Sequence, residues 1–137
     1  MRITADSNIL LRVILDDEPE QSQKARAVLE KASLVAVPVP VFCELAWTML
    51  RGYKRQPAEV AEAIAAILRV ATVVTDRLAV EAGLAVLHSG GDFADGVIAW
   101  QGAAMGADIF VSFDREAVDL LSESKFAAAT PARMLEN

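Results

Sequence analysis

Four acidic residues stand where an α/β sheet would gather them at one edge: Asp6, Glu44, Asp95 and Asp114. Asp6 closes the opening stretch Met1-Arg2-Ile3-Thr4-Ala5, and Glu44 follows the run from Leu34 to Phe42. Asp95 opens the helix-like segment Gly96-Val97-Ile98-Ala99-Trp100, and Asp114 closes Ile109-Phe110-Val111-Ser112-Phe113. An acid at the carboxyl end of a parallel strand, or in the helix just after it, faces the edge where open α/β sheets bind ligands. Carboxylates brought together repel one another unless a proton or a cation neutralises them. Their oxygens suit hard divalent ions such as Mg²⁺ and Mn²⁺. Such ions lower the pKa of a bound water and clamp phosphate oxygens, so the chemistry expected of these residues is phosphodiester hydrolysis.

The elements that must position the acids follow from periodicity. Ile3 to Ala5 reads as a first strand, and Ser7 and Asn8 are expected to cap a helix carrying Leu11, Ile14 and Leu15. Asp16-Asp17-Glu18-Pro19 breaks that helix, and Glu20 to Lys31 forms the next, with Ala25, Val28, Leu29 and Ala32 as its apolar stripe. Leu34 to Val37 is a second strand, ended by Pro38 and Pro40. Helices are then expected from Val41 to Leu50 and from Pro57 to Val70, followed by a strand from Ala71 to Val74. Arg77 to His88 and Asp95 to Met105 read as helices, Ile109 to Phe113 as a strand, Glu116 to Ser122 as a short helix, and Phe126 to Ala129 as a weak fifth strand. The order β-α-α-β-α-α-β-α-α-β-α-β predicts a largely parallel sheet covered on both faces. At 137 residues the chain is expected to be one domain over residues 1–137, with a core that needs no staples.

Composition narrows the class. With 54% hydrophobic residues and no low-complexity tract, disorder is excluded, and no apolar run approaches the length of a spanning helix. No secretory leader is evident, and a single cysteine, Cys43, cannot pair within the chain, so a soluble cytoplasmic protein is expected. A net charge of −6 argues against broad, charge-driven nucleic-acid binding. It does not exclude a nuclease whose acids face metal, and it suits a basic partner segment.

Taken singly, the acids have plainer readings. Asp6 and Asp95 would serve as helix caps and Asp114 as a turn residue. Glu44 lies among Phe42, Cys43, Leu45, Ala46 and Trp47, where an unpaired charge would be costly. In combination they have a familiar form. Asp6-Ser7-Asn8-Ile9-Leu10-Leu11 resembles the opening Asp-Thr/Ser-Asn motif of PIN-domain ribonucleases, and Glu44-Leu45 after a Pro-rich strand end resembles their second motif. Asp92-Phe93-Ala94-Asp95-Gly96-Val97-Ile98-Ala99 is similar to the third and Ser112-Phe113-Asp114-Arg115 to the fourth. The nearest subfamily is the VapC-like toxins of bacterial type II toxin–antitoxin pairs. The resemblance implies a PIN-like three-layer fold with a five-stranded, mainly parallel sheet and helices on both faces. It further implies Mg²⁺- or Mn²⁺-dependent endonuclease action on RNA and inhibition by a small antitoxin. Asp6, Glu44, Asp95 and Asp114 carry over as catalytic, metal-binding acids. Gly96, where the family commonly has Ala, is expected to loosen the start of its helix slightly.

Around the acids, Ser7, Asn8 and Ser112 are candidates to orient carboxylates by hydrogen bonds. Asp92 reads best as a cap. Arg12, Arg51, Lys54, Arg55 and Arg115 are candidate RNA phosphate contacts, and Tyr53 offers an aromatic ring within the dense basic cluster Arg51-Gly52-Tyr53-Lys54-Arg55. Trp47 and Trp100 read as core or dimer contacts. His88 has no local catalytic neighbour and reads as a helix-end residue; Cys43, without a nearby His or Lys, reads as a small buried residue. Small domains with apolar surface helices commonly pair, so a homodimer is expected. Two alternatives remain at this level. A metal-dependent phosphotransferase or phosphatase of the haloacid-dehalogenase type would want a second Asp two residues after Asp6, and position 8 is Asn. A non-catalytic PIN-like regulatory subunit would have no need of the full acid set.

Overall fold

Arg2–Thr4 forms strand β1, and its register is set by β2, Leu34–Ala36, which runs parallel with Ile3 opposite Val35. Strand β3, Val73–Val74, continues the ladder in parallel on the far side of β2. In this computed structural model, residues Met1–Glu136 are described, and their contacts group them into two units. The first comprises Met1–Asp76 and the second begins at Arg77.

In the first unit the parallel crossovers are helical, as parallel strands require. Helix α1, Ser7–Leu15, and helix α2, Pro19–Lys31, join β1 to β2. Pro19 occupies the first turn of α2, where its missing N–H costs nothing. The turn between them closes on Asp16, a non-glycine residue in the left-handed region (φ 51°), whose N–H bonds to the Arg12 carbonyl. The buried Ser22 hydroxyl donates to that same carbonyl at 2.8 Å and pins α2 to α1. Helix α3, Val39–Trp47, starts earlier than its sequence pattern suggests, because Pro40 fits the first helical turn. It runs into a π-helical turn, Thr48–Gly52, and helix α4, Pro57–Leu68, leads to β3. Phe42, Leu45, Val60 and Ile64 are fully buried and form the heart of this unit.

The second unit holds α5, Arg77–His88, and α6, Phe93–Ala104. Strand β4, Phe110–Val111, then pairs in parallel with β5, Ala128–Ala129, across helix α7, Arg115–Glu123. A short α8, Pro131–Met134, follows. Val86, Ala99 and Leu121 form its core, with Phe110, Phe126 and Ala128 packed against them.

The element order matches the sequence reading, with α8 added. The sheet does not: the strands form a three-stranded ladder, β1-β2-β3, and a two-stranded ladder, β4-β5, in place of one five-stranded sheet. The reason lies in strand length. β3, β4 and β5 each contribute only two residues, so each supplies few ladder bonds, and the expected strand from Ile109 to Phe113 ends at Val111 with Phe113 left 87% exposed.

Gly96 also departs from expectation. A Cβ there would lie 2.5 Å from the Ala82 carbonyl oxygen and 2.9 Å from the Gly83 Cα, so α5 and α6 cross with their backbones in near contact. Opposite it, a Cβ on Gly83 would meet the Phe93 ring at 2.6 Å. The glycines are a condition of the helix crossing and not a loosened helix start. Gly96→Ala gains about 1 kcal/mol of helix propensity but overpacks against rigid backbone at about 1–3 kcal/mol, so the melting temperature should fall. Gly102→Ala, whose Cβ meets nothing within 4 Å, should raise it. Thermal unfolding of both variants decides the matter; a stabilised Gly96→Ala would refute the close crossing.

Candidate active site

In the first unit the acid at the end of β1 is built into the backbone. Ala5 is buried and its N–H extends the ladder to the Ala36 carbonyl at 3.0 Å. The next residue, Asp6, is exposed and is the N-cap of α1: its Oδ1 accepts the Ser7 N–H at 2.7 Å. The cap is thus Asp6, and not Ser7 or Asn8, which lie inside the helix. Ser7 is thereby released for another partner, and its Oγ donates to Glu44 Oε2 at 3.2 Å. Glu44, on the second turn of α3, is exposed, so the cost anticipated for a charge in an apolar segment does not arise. Helical periodicity explains it: Val41, Phe42, Leu45 and Ala46 are buried while Glu44 and Trp47 share the open face. Asn8 is exposed at a groove between α1 and α2. Cys43 is half-buried beside Glu44.

In the second unit Asp92 is the N-cap of α6, with Oδ1 accepting the Ala94 N–H at 3.0 Å. Asp95 lies in the first turn of the same helix, and Asp114 is the N-cap of α7, with Oδ1 accepting the Ala117 N–H at 3.1 Å. Ser112 Oγ accepts the Asp114 N–H at 3.0 Å and fixes the turn that presents this acid. Asp92, Asp95 and Asp114 are near enough to interact. Burial raises the Asp95 pKa above the ordinary carboxylate range, and the charges of Asp92 and Asp114 raise it further.

Residues 3–120 match the PIN domain family. The chain belongs to this family. A comparison with curated proteins gives no match. PIN domains are in general metal-dependent nucleases, and the matched span contains all four candidate acids.

The donor chemistry of this PIN domain fits a hard divalent cation. The groups are carboxylates and hydroxyls, each cap spends one carboxylate oxygen and leaves the second, and Asp92 and Asp114 add negative charge beside the partly buried Asp95. Among the described residues, no three His, Cys, Asp or Glu side chains are already arranged to hold a metal ion.

The candidate phosphate contacts divide. Arg12 is committed: its guanidinium pairs with Asp17 at 2.9 Å and Glu18 at 3.5 Å and donates to the Tyr53 hydroxyl at 2.9 Å. Arg55 pairs with Glu59 at 3.5 Å. Arg51, Lys54 and Arg115 are exposed. His88 is the last residue of α5 and is exposed, as its position in the pattern suggests. Trp47, 64% exposed, is not a core residue; no sequence signal marks this, since its neighbours Ala46 and Met49 are buried.

The raised Asp95 makes a prediction about metal-free protein. Its folded form holds a proton more tightly than the unfolded chain does, so its contribution is fully present at low pH. That contribution is lost as pH rises through its raised pKa. Asp95→Asn keeps the shape without the charge. Its melting temperature should exceed that of the wild type by a few degrees at neutral pH, and the gap should close toward about pH 4. A gap that stays constant across this range would show that Asp95 is not destabilised by its surroundings.

Proposed function

We propose that this PIN domain is an endoribonuclease dependent on Mg²⁺ or Mn²⁺, with Asp6, Glu44, Asp95 and Asp114 as its metal-binding acids. We further propose that it is the toxin of a toxin–antitoxin pair. The observation that carries the catalytic reading is the placement of acids at strand-to-helix junctions: Asp6 after β1 and Asp114 after β4, both in a chain of this family. When bound, the cation supplies positive charge to the phosphate and acidifies the attacking water. The chain's own residues do the positioning. The Ser7 N–H holds the Asp6 carboxylate and the Ser7 hydroxyl holds Glu44, so one residue orients both acids of the first unit. The Ala117 N–H holds the Asp114 carboxylate, and Ser112 Oγ accepts the Asp114 backbone N–H and fixes the turn that presents it. Arg51, Lys54 and Arg115 are the exposed cations for phosphates outside the cleaved bond.

An intracellular ribonuclease must be restrained, which supports an antitoxin partner. Such a partner would lay an apolar helix on this chain and direct an Arg or Lys at the acids, replacing the metal's charge. The first unit carries a nearly wholly apolar cleft of about 370 Å³, bordered by Leu10, Ile14, Leu29, Ile67 and Val70. Helix α2 borders this cleft through Leu29, and no α3 residue lines it. Val28 on α2 also stays 39% exposed. Exposed Met105 and Phe113 support a homodimer as part of the same reading.

The decisive variant is Asp6→Asn, because Asn is as good an N-cap as Asp and the fold should survive. RNA cleavage with Mn²⁺ should fall by more than about 100-fold, beyond the roughly 10–100-fold expected for a residue that only orients a ligand, such as Ser7→Ala. Mn²⁺ should raise the melting temperature of the wild type more than that of Asp6→Asn. Expression of the chain should slow growth, Asp6→Asn should abolish the effect, and co-expression of an adjacent small gene should relieve it. Wild-type cleavage by Asp6→Asn would sink the catalytic assignment; arrest that persists with it would sink the toxin reading.

A further inference from the structure

One side chain beside Glu44 is poorly explained by the fold alone. Trp47 lies three residues after Glu44 on α3, hence on the same helix face. The two share a cleft of about 420 Å³ with Cys43 and Thr48. The indole is 64% exposed, although the buried residues Leu45, Ala46 and Met49 surround it in sequence. From the structure we infer that Trp47 is a stacking platform for one base of single-stranded RNA, with Arg51 holding an adjoining phosphate. The inference rests on the ribonuclease reading above, and names how that substrate is seated.

Three features argue for this occupant. First, the exposed residues flanking the ring in sequence are charged: Glu44 before it on α3, Arg51 after it in the π-helical turn, and Lys54 just past the end of that turn. A protein-docking face would continue apolar at its centre, whereas an aromatic plane beside cations is the arrangement that takes unstacked bases and their phosphates. Second, the platform is held in place. Met49 is buried, the Arg55 N–H bonds to its carbonyl at 2.9 Å, and the Tyr53 N–H bonds to the Thr48 carbonyl at 3.1 Å. The Tyr53 hydroxyl is in turn bound by Arg12, which Asp17 and Glu18 clamp. Third, this tie occupies the polar end of the other aromatic in the segment, so Trp47 is the more open ring. The π-helical turn from Thr48 to Gly52, a rare geometry that often marks functional sites, carries Arg51 just beyond the ring.

The test uses the full chain with a short single-stranded RNA of mixed sequence, in Ca²⁺ for binding and in Mn²⁺ for cleavage. Binding should quench tryptophan fluorescence, and Trp47→Phe, which leaves only Trp100, should lose most of the quenching. Trp47→Ala should weaken RNA binding roughly 5- to 100-fold, the range seen when a stacking aromatic is removed, and Trp47→Phe should restore most of it. In steady state the loss should appear in KM with kcat nearly unchanged, because a base stacked away from the reacting phosphate is held equally before and during reaction. Melting temperatures near the wild type would confirm that the variants are folded. Trp47→Ala that binds and cleaves as the wild type does overturns the platform while leaving the ribonuclease reading intact. So does a loss of affinity that tracks dissociation of an oligomer in sedimentation, which would make Trp47 a protein contact. Quenching through Trp47 without cleavage by the wild type would support the platform and refute the ribonuclease.

Discussion

The structure depends on how negative charge is tolerated at strand-to-helix junctions. A carboxylate that begins a helix meets backbone N–H groups left without partners and the positive end of the helix dipole. Asp6 and Asp114 begin helices after strands and Asp92 begins one after another helix, and each accepts a backbone N–H through one oxygen. The stabilisation is worth roughly 0.3–1 kcal/mol per site by the dipole alone, enough to offset part of the repulsion among clustered acids. The cap therefore serves two ends. It terminates the backbone's unmet bonds, and it holds a carboxylate rigid with one oxygen left for a ligand.

Asp95 shows what happens when an acid in the same region has no such cap. It sits inside the first turn of α6, drawn toward α5 by a crossing that admits no Cβ at Gly96. Desolvation outweighs the neighbouring charges of Asp92 and Asp114 in raising its pKa.

This also marks what was legible in the sequence. Periodicity gave the element order, because a helix's buried face is written locally. It also gave Asp92 as a cap and His88 as a helix end. For α1 it offered Ser7 and Asn8 as well as Asp6, since Asp, Ser and Asn stand in a row and all three cap well; only the backbone turn at Asp6 decides among them. It misjudged Glu44, because a run of apolar residues hides which side of a short helix is open. The division of the strands into two ladders was unreadable, as two-residue strands leave almost no alternation to detect. Gly96 looked like a weak helix start because the residue it accommodates, Ala82, is distant in sequence.

The distribution of the cations completes the physical picture. The chain has 13 Lys and Arg against 19 Asp and Glu, so its long-range field repels a polyanion. Many of its cations are spent on acids: Arg12 on Asp17 and Glu18, Lys24 on Glu20, Arg26 on Asp16, Arg55 on Glu59 and Arg69 on Glu62. At physiological ionic strength charges are screened beyond about 8 Å, so attraction to an anionic chain must be local. Arg12 gives up direct contact with a ligand, but by bonding to Tyr53 it fixes the segment that carries Arg51 and Lys54. The Arg12–Tyr53 tie, spanning 41 positions, is the contact that holds that segment against α1.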